Sequence, residues 1–301
     1  MSTIRFNNDM SAQSYHQLRV QVEPEYGIVW LYMNPYPRPC FNSGLLTELR
    51  RYQRMLTQYD GKLPHEGELV TIRYQVLGSD ILGVFNLGGD LERFLNCIRS
   101  RDSRGLLQYA KACIDVLYPN ITCYNLPITP ISLIRGDALG GGFEAALSSR
   151  VVIAERCAQM GLPEILFNLF PGMGAYNLLA QRLNPVQAER MILSGRMYSA
   201  EELYEMGVVD VLAEDGEGEA AVRSYIRAHS KRYIGHTAVH RIRQRLNPIR
   251  YDELMDICDI WVDAAMQLTE KDLRVMERLV RAQNRIAEPV GVALDEDQVL
   301  A

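Results

Sequence analysis

The chain has 301 residues, 48% of them hydrophobic and 23% charged, with a formal net charge of −5, which is material for one large enzyme-sized core, alone or with a helical appendage. Mixed charge signs and no strongly basic domain exclude a dedicated nucleic-acid binder, which must neutralise phosphates. No uninterrupted apolar run is long enough to span a bilayer, and the opening 1–9 lacks the apolar stretch of a signal peptide, so the expected location is the cytoplasm.

In chain order, aromatic and β-branched residues predict a strand over 26–33, and a helix is expected over 45–59. Alternation predicts a strand over 69–76, and 106–117 is a further helix. A loop rich in Pro and Asn leads to an apolar strand over 131–134 that feeds a glycine run, and strands over 151–154 and 208–212 complete the set. Strands separated by helices define an α/β class with crossover connections. The acidic, glycine-rich run 214–219 reads as a turn or short linker, and everything beyond it as helix. Leu254, Ile257, Cys258, Trp261, Ala265 and Leu268 recur at three- and four-residue steps, a pattern that Leu273, Met276, Leu279 and Val280 repeat. The expected division is an α/β core over 1–213 and a helical region over 214–301.

Two glutamates carry most of the chemistry. Glu144 ends Ala138-Leu-Gly-Gly-Gly-Phe-Glu144, and Glu164 ends Met160-Gly-Leu-Pro-Glu164. A triple glycine before an apolar helix leaves uncovered N–H groups at a helix start, where developing negative charge is favoured. Two carboxylates beside such donors can exchange protons with a substrate and a water molecule. The bland alternative is a glycine-rich turn with two surface acids. Elsewhere His236 and His240 stand four apart on a predicted helix without a third ligand, so packing or solvation is expected there and no metal site. The six cysteines show no Cys-x-x-Cys spacing, no Gly-x-Ser-x-Gly elbow occurs, and Gly172-Met-Gly174 lacks the third glycine of a dinucleotide fingerprint. The basic residues over 223–245 are expected to form a solvated helix surface, with an acidic carrier protein or pantetheine phosphates as the functional alternative.

Several blocks together resemble the crotonase (enoyl-CoA hydratase/isomerase) superfamily: Phe85-Asn-Leu-Gly-Gly-Asp90, Gly136 to Glu144, Gly161-Leu-Pro-Glu164 with Phe170-Pro-Gly-Met-Gly174, and 194–210. The wording of 83–90, 161–176 and 261–268 is similar to the diffusible signal factor synthases. These are bifunctional enzymes that dehydrate a 3-hydroxyacyl thioester to the cis-2-enoyl form and hydrolyse it to a quorum-sensing fatty acid. The resemblance implies a crotonase-like fold of ββα repeats forming a spiral core, and a homotrimer or hexamer assembled through the helical region, which also covers the pocket. It implies Glu144 and Glu164 as acid and base in unassigned order. Gly141 would supply one oxyanion N–H, with Gly88 or its neighbour Leu87 supplying the other. Met173, Trp261 and Leu279 are expected to wall the acyl tail, although apolar helical stripes mostly serve cores. An acyl carrier protein or coenzyme A thioester is the implied substrate, a regulatory signalling protein an implied partner, and neither metal nor nicotinamide an expected cofactor. One departure stands out: Arg150 occupies roughly the place where members often carry an Asp. The segment 91–125 is also long for a plain hydratase, and reads as a lid, a docking surface or a packing excursion.

Overall fold

The computed structural model describes residues 15–287; the opening stretch 1–9 and the last residues of the expected helical region lie outside them. Strand β1 (Leu18–Glu23) pairs with β2 (Ile28–Met33), and α1 (Ser43–Gln58) follows. A hairpin of β3 (Lys62–His65) and β4 (Glu68–Thr71) leads into β5 (Tyr74–Ser79), β6 (Gly83–Asn86), α2 (Leu91–Arg99) and α3 (Ser103–Ile121). The centre of the chain forms β7 (Thr129–Ile134), β8 (Gly136–Leu139), α4 (Gly141–Leu147), β9 (Val151–Glu155) and β10 (Gln159–Gly161). Then come α5 (Ala175–Ala180), α6 (Pro185–Ser194), β11 (Met197–Ser199), α7 (Ala200–Glu205) and β12 (Val211–Ala213). Four helices finish the described chain: α8 (Gly218–Ser230), α9 (Tyr233–Leu246), α10 (Tyr251–Ala265) and α11 (Glu270–Ala287).

Two sheets organise the core. The larger runs β1-β2-β5-β7-β9-β12, parallel except for β1 against β2, and the smaller runs β11-β10-β8-β6. Parallel pairing requires crossovers and buries both faces, and β2 shows it residue by residue. Val29, Leu31 and Met33 face the main core, while Ile28, Trp30 and Tyr32 face a second apolar cluster closed by Val222 and Ile226 of α8. Helix α1 starts where the Asn42 side chain accepts the Leu45 N–H at 2.9 Å. It buries Leu45, Leu49, Tyr52 and Leu56 at three- and four-residue steps, each such side chain typically stabilising by about 1.5–3 kcal/mol.

Several boundaries differ from the sequence reading. The strand expected over 69–76 is two strands, because Ile72 and Arg73 donate to Gly61 O and Gly27 O and the chain turns from the hairpin into the sheet there. The helix expected to end at Leu117 continues through Pro119 to Ile121. A strand, β8, intervenes between β7 and the glycine run, and pairs with β6 and β10 rather than continuing the main sheet. The last core strand begins at Val211, with Val208 and Val209 buried before it.

Candidate active site

The smaller sheet delivers the site. Strands β6, β8 and β10 run parallel, so their C-terminal ends place three loops side by side: Leu87–Asp90, the start of α4, and the 3-10 helix Pro163–Phe167. Gly140 has φ +51, and a Cβ there would lie 2.2 Å from Glu164 Oε1. A side chain at 140 would therefore displace the carboxylate itself. Gly88 has φ +92, and its Cβ would lie 2.8 Å from Leu139 O and 3.0 Å from Gly141 N. The two glycine loops are packed backbone to backbone, which only glycine permits.

The first loop is tied down almost completely. Leu87 N–H donates to Pro39 O at 2.7 Å, and Gly88 N–H donates to Asn86 Oδ1 at 2.8 Å. Asp90 N–H donates to the Tyr109 hydroxyl at 3.0 Å, which itself donates to Phe41 O at 2.6 Å. Neither Leu87 nor Gly88 therefore has a free N–H to offer, which corrects the expectation at both positions. The N–H without a partner among the described residues belongs to Gly89, one residue further on. It lies 3.5 Å from where a Gly141 Cβ would be, and the Gly141 N–H, in the first turn of α4, likewise has no acceptor among the described residues.

Glu144 sits one turn into α4 and is 1% exposed. Its Oε1 accepts the N–H groups of Met173 at 2.8 Å and Ala175 at 2.9 Å, so the segment carrying Met173 orients the carboxyl. Burial first, and the negative charge of Glu164 second, push its pKa up to about 8 against the pull of those two donors. Burial pushes Glu164 up to about 7. The Oε2 of Glu164 is enclosed and has no hydrogen-bond partner among the described residues. An unsatisfied carboxyl oxygen in an enclosed site is costly unless a substrate or water completes it.

Both carboxyl groups face one cavity of about 160 Å³. Leu87, Gly88, Gly141, Met173, Trp261 and Leu279 all line it, so the structure brings together every site residue named from the sequence. Trp261 packs edge-on against Phe94 at a centroid distance of 4.9 Å and is 5% exposed, so it serves core and cavity wall at once. Helices α2 and α3, the long excursion, supply Phe94, Tyr109, Ala110 and Cys113 to the wall. Asp137 on β8, raised by burial, lines the same cavity. Gln283 of α11 also reaches it and donates to Leu87 O at 3.2 Å. Sequence reasoning missed Gly89, Asp137, Tyr109 and Gln283. The neighbouring glycines offered a signal for Gly89 alone.

The remaining expectations resolve away from the cavity. His240 lies beside Arg150, Arg243 and His236, and burial with those positive neighbours pushes it down to about 4. The histidines form no metal-sized group; among the described residues only Glu155, Cys157 and Asp215 approach closely enough, and Glu155 already accepts the Gly218 N–H. Arg150 is buried and donates to Ile121 O and Cys123 Sγ, fastening the end of α3. No helix among the described residues is long and apolar enough to cross a membrane.

One buried glutamate and one half-buried glutamate thus stand beside two glycine loops at the end of a small sheet. The chain belongs to the enoyl-CoA hydratase/isomerase family, whose model matches residues 70–227. The rat mitochondrial methylglutaconyl-CoA hydratase is 28% identical over 220 residues, covering 72% of this chain and 64% of that protein, so the match spans less than two thirds of the relative. A Bacillus halodurans enoyl-CoA hydratase superposes with a TM-score of 0.71 at 19% identity, over 88% of this chain and all of that one. A human mitochondrial delta3-delta2-enoyl-CoA isomerase gives 0.72 at 18% identity, over 89% of this chain and 100% of its own. Hydratases and an isomerase thus share the fold, and the choice between their chemistries falls to the site.

Proposed function

We propose that the chain moves water across the C2–C3 bond of an acyl thioester. The observation that carries this reading is the meeting of two carboxyl groups with raised pKa values and two backbone N–H groups without an acceptor among the described residues on one cavity wall. In the dehydration direction one glutamate takes the C2 proton, and the charge passes to the thioester oxygen. Gly89 and Gly141 N–H groups receive that oxygen, each such donor being worth about 2.7–4 kcal/mol where one has been removed from an enzyme. The other glutamate gives its proton to the C3 hydroxyl, which leaves as water; hydration is the reverse. Migration of a double bond needs only one proton-carrying group, so the second glutamate on the cavity wall supports water chemistry over isomerisation.

Two versions of this chemistry diverge in alkene geometry and in the fate of the thioester. The ordinary enoyl-CoA hydratase version interconverts trans-2-enoyl and 3-hydroxyacyl thioesters and leaves the thioester intact; the hydratases among the relatives support it. In the signal-synthase version, dehydration gives a cis-2-enoyl thioester. Water then attacks its C1 carbonyl, the thiolate departs, and a medium-chain free acid is released, the same N–H pair holding both anionic intermediates. That version rests on the motif resemblance over 83–90, 161–176 and 261–268. Supplying 3-hydroxydodecanoyl thioester on carrier protein and on coenzyme A, then separating products by gas chromatography and mass spectrometry, distinguishes them. A trans thioester without free acid establishes the hydratase version, and free cis acid establishes the other. No product from either donor sinks the proposal.

A further inference from the structure

Helix α11 buries Leu273, Met276, Val280 and Gln283 at three- and four-residue steps, so an amide stands where the pattern calls for a hydrocarbon. Gln283 is 6% exposed and lines the catalytic cavity. Its Nε2 donates to Leu87 O at 3.2 Å. A carbonyl only accepts, so the amide nitrogen faces Leu87 and the amide oxygen is turned elsewhere. That oxygen, Oε1, is enclosed and has no donor among the described residues. An orphaned buried oxygen costs stability, so packing does not account for a glutamine at this position.

What the amide holds is the first glycine loop. Gly88 has φ +92, and glycines in succession give the backbone little conformational preference of its own. The loop is therefore set by what its peptide groups bond to. Gly88 N–H is taken by Asn86 Oδ1 at 2.8 Å, and Gly88 O accepts the Phe41 N–H at 2.8 Å. Leu87 O is taken by Gln283, 196 residues further along the chain. The group left over is the Gly89 N–H, which faces no acceptor among the described residues. Without Gln283 the Leu87–Gly88 peptide unit is fastened at its N–H end alone, free to rotate on a glycine and to carry the Gly89 N–H with it. We propose that Gln283 is a positioning residue that fixes the Gly89 N–H as an oxyanion donor, so that the hole is complete only with α11 docked against the cavity. This inference rests on the thioester reading above and adds to it a residue from outside the loops.

The test uses full-length Gln283→Met, which keeps the length and removes both amide atoms, and Gln283→Asn, whose amide is a methylene too short to reach Leu87 O. The probe is a 3-oxododecanoyl pantetheine thioester. Its enolate absorbs in the near ultraviolet and places negative charge on the thioester oxygen without any turnover. Wild type should bind the enolate, and both variants should bind it at least about tenfold more weakly, since small misplacements at a reacting centre cost that much or more. On a 2-enoyl thioester both variants should lose at least about tenfold in kcat with KM within about threefold of wild type, the pattern of an interaction made in the transition state. The Met variant should melt close to wild type, because the orphaned oxygen it removes offsets the acceptor it strands. Lower stability with the enolate bound as in wild type overturns the proposal and leaves Gln283 a packing residue. So does a raised KM with kcat unchanged, which would make the amide a ground-state contact to the substrate. The enolate band needs the N–H pair alone, so weaker enolate binding by the variants supports the role of Gln283 even if the wild type moves no water. No enolate band from the wild type overturns the hole and this role with it.

Discussion

In the proposed reaction Glu144 and Glu164 carry the protons, both held above the ordinary carboxylate range, first by burial. Glu144→Gln and Glu164→Gln keep the side-chain size but cannot cycle a proton. Each is expected to leave the fold intact and to lower turnover on a 3-hydroxyacyl or 2-enoyl thioester by about 10²–10⁴-fold, as steady-state rates on folded variants will show. The reaction needs one group ionised and the other protonated, so the pair should give a narrow bell-shaped profile, with kcat/KM falling below about pH 7 and above about pH 8. Stability carries the same signature. Folding raises both groups above their ordinary value of 4.5, which favours their protonated forms in the native state. That contribution is full below about pH 4.5 and is lost as pH rises through 7 to 8. The Glu144→Gln variant, which has no such charge to bury, should therefore melt above the wild type at pH 9 and close to it at pH 4. An unchanged or lower Tm at pH 9 would mean that Glu144 is not held at a raised pKa.

Among the elements, the glycine-rich loops decide where the reacting groups stand. Gly140→Ala places a methyl at a position 2.2 Å from Glu164 Oε1 on a backbone with φ +51. It is expected to cut kcat by at least about a hundredfold, as small misplacements at reacting centres do, while Gly216→Ala, with nothing within 4 Å of its Cβ but a similar strained φ of +82, should leave kcat unchanged. Trp261→Ala should cost about 3–5 kcal/mol of stability, seen by denaturant melts, because Trp261 packs on Phe94 and across Gly172. It should also shift chain-length preference toward longer or bulkier acyl groups, because the same ring walls the cavity. A loss of stability with unchanged preference would reduce Trp261 to a core residue.

The elements also show what the sequence could carry. Helices α1, α3 and α10 were legible because their apolar spacing reports one buried face, and β2, β7 and β9 because both of their faces are apolar. Glu144 and Glu164 were legible because each closes a motif. The register of the first loop was not, since which N–H stays free depends on Asn86 and Pro39 reaching back to Gly88 and Leu87. Gln283 and Tyr109 were invisible for the same reason: helical polar residues report no depth until tertiary packing points them at a distant loop.

At the scale of the whole molecule, α9 buries none of its residues, and Ile234, Val239, Ile242 and Leu246 are 84%, 60%, 57% and 79% exposed. Their helical positions fall on one side, an apolar face that the described residues leave uncovered. We propose that subunit association covers it, in line with the trimer implied by the motif resemblance. Light scattering should give a multiple of the 34.2 kDa chain mass, and Ile242→Glu/Leu246→Glu should reduce it; a monomer at micromolar concentration would sink this reading.

In the proposed reaction Glu144 and Glu164 together move water, rather than a double bond. The most direct measurement is mass spectrometry of a 2-enoyl thioester after reaction in ¹⁸O-labelled water, with wild type and each Gln variant side by side. Water addition by the pair predicts a 3-hydroxyacyl product carrying ¹⁸O at C3 from the wild type and almost none from either variant. A shifted double bond without label, or near wild-type labelling by either variant, would contradict it.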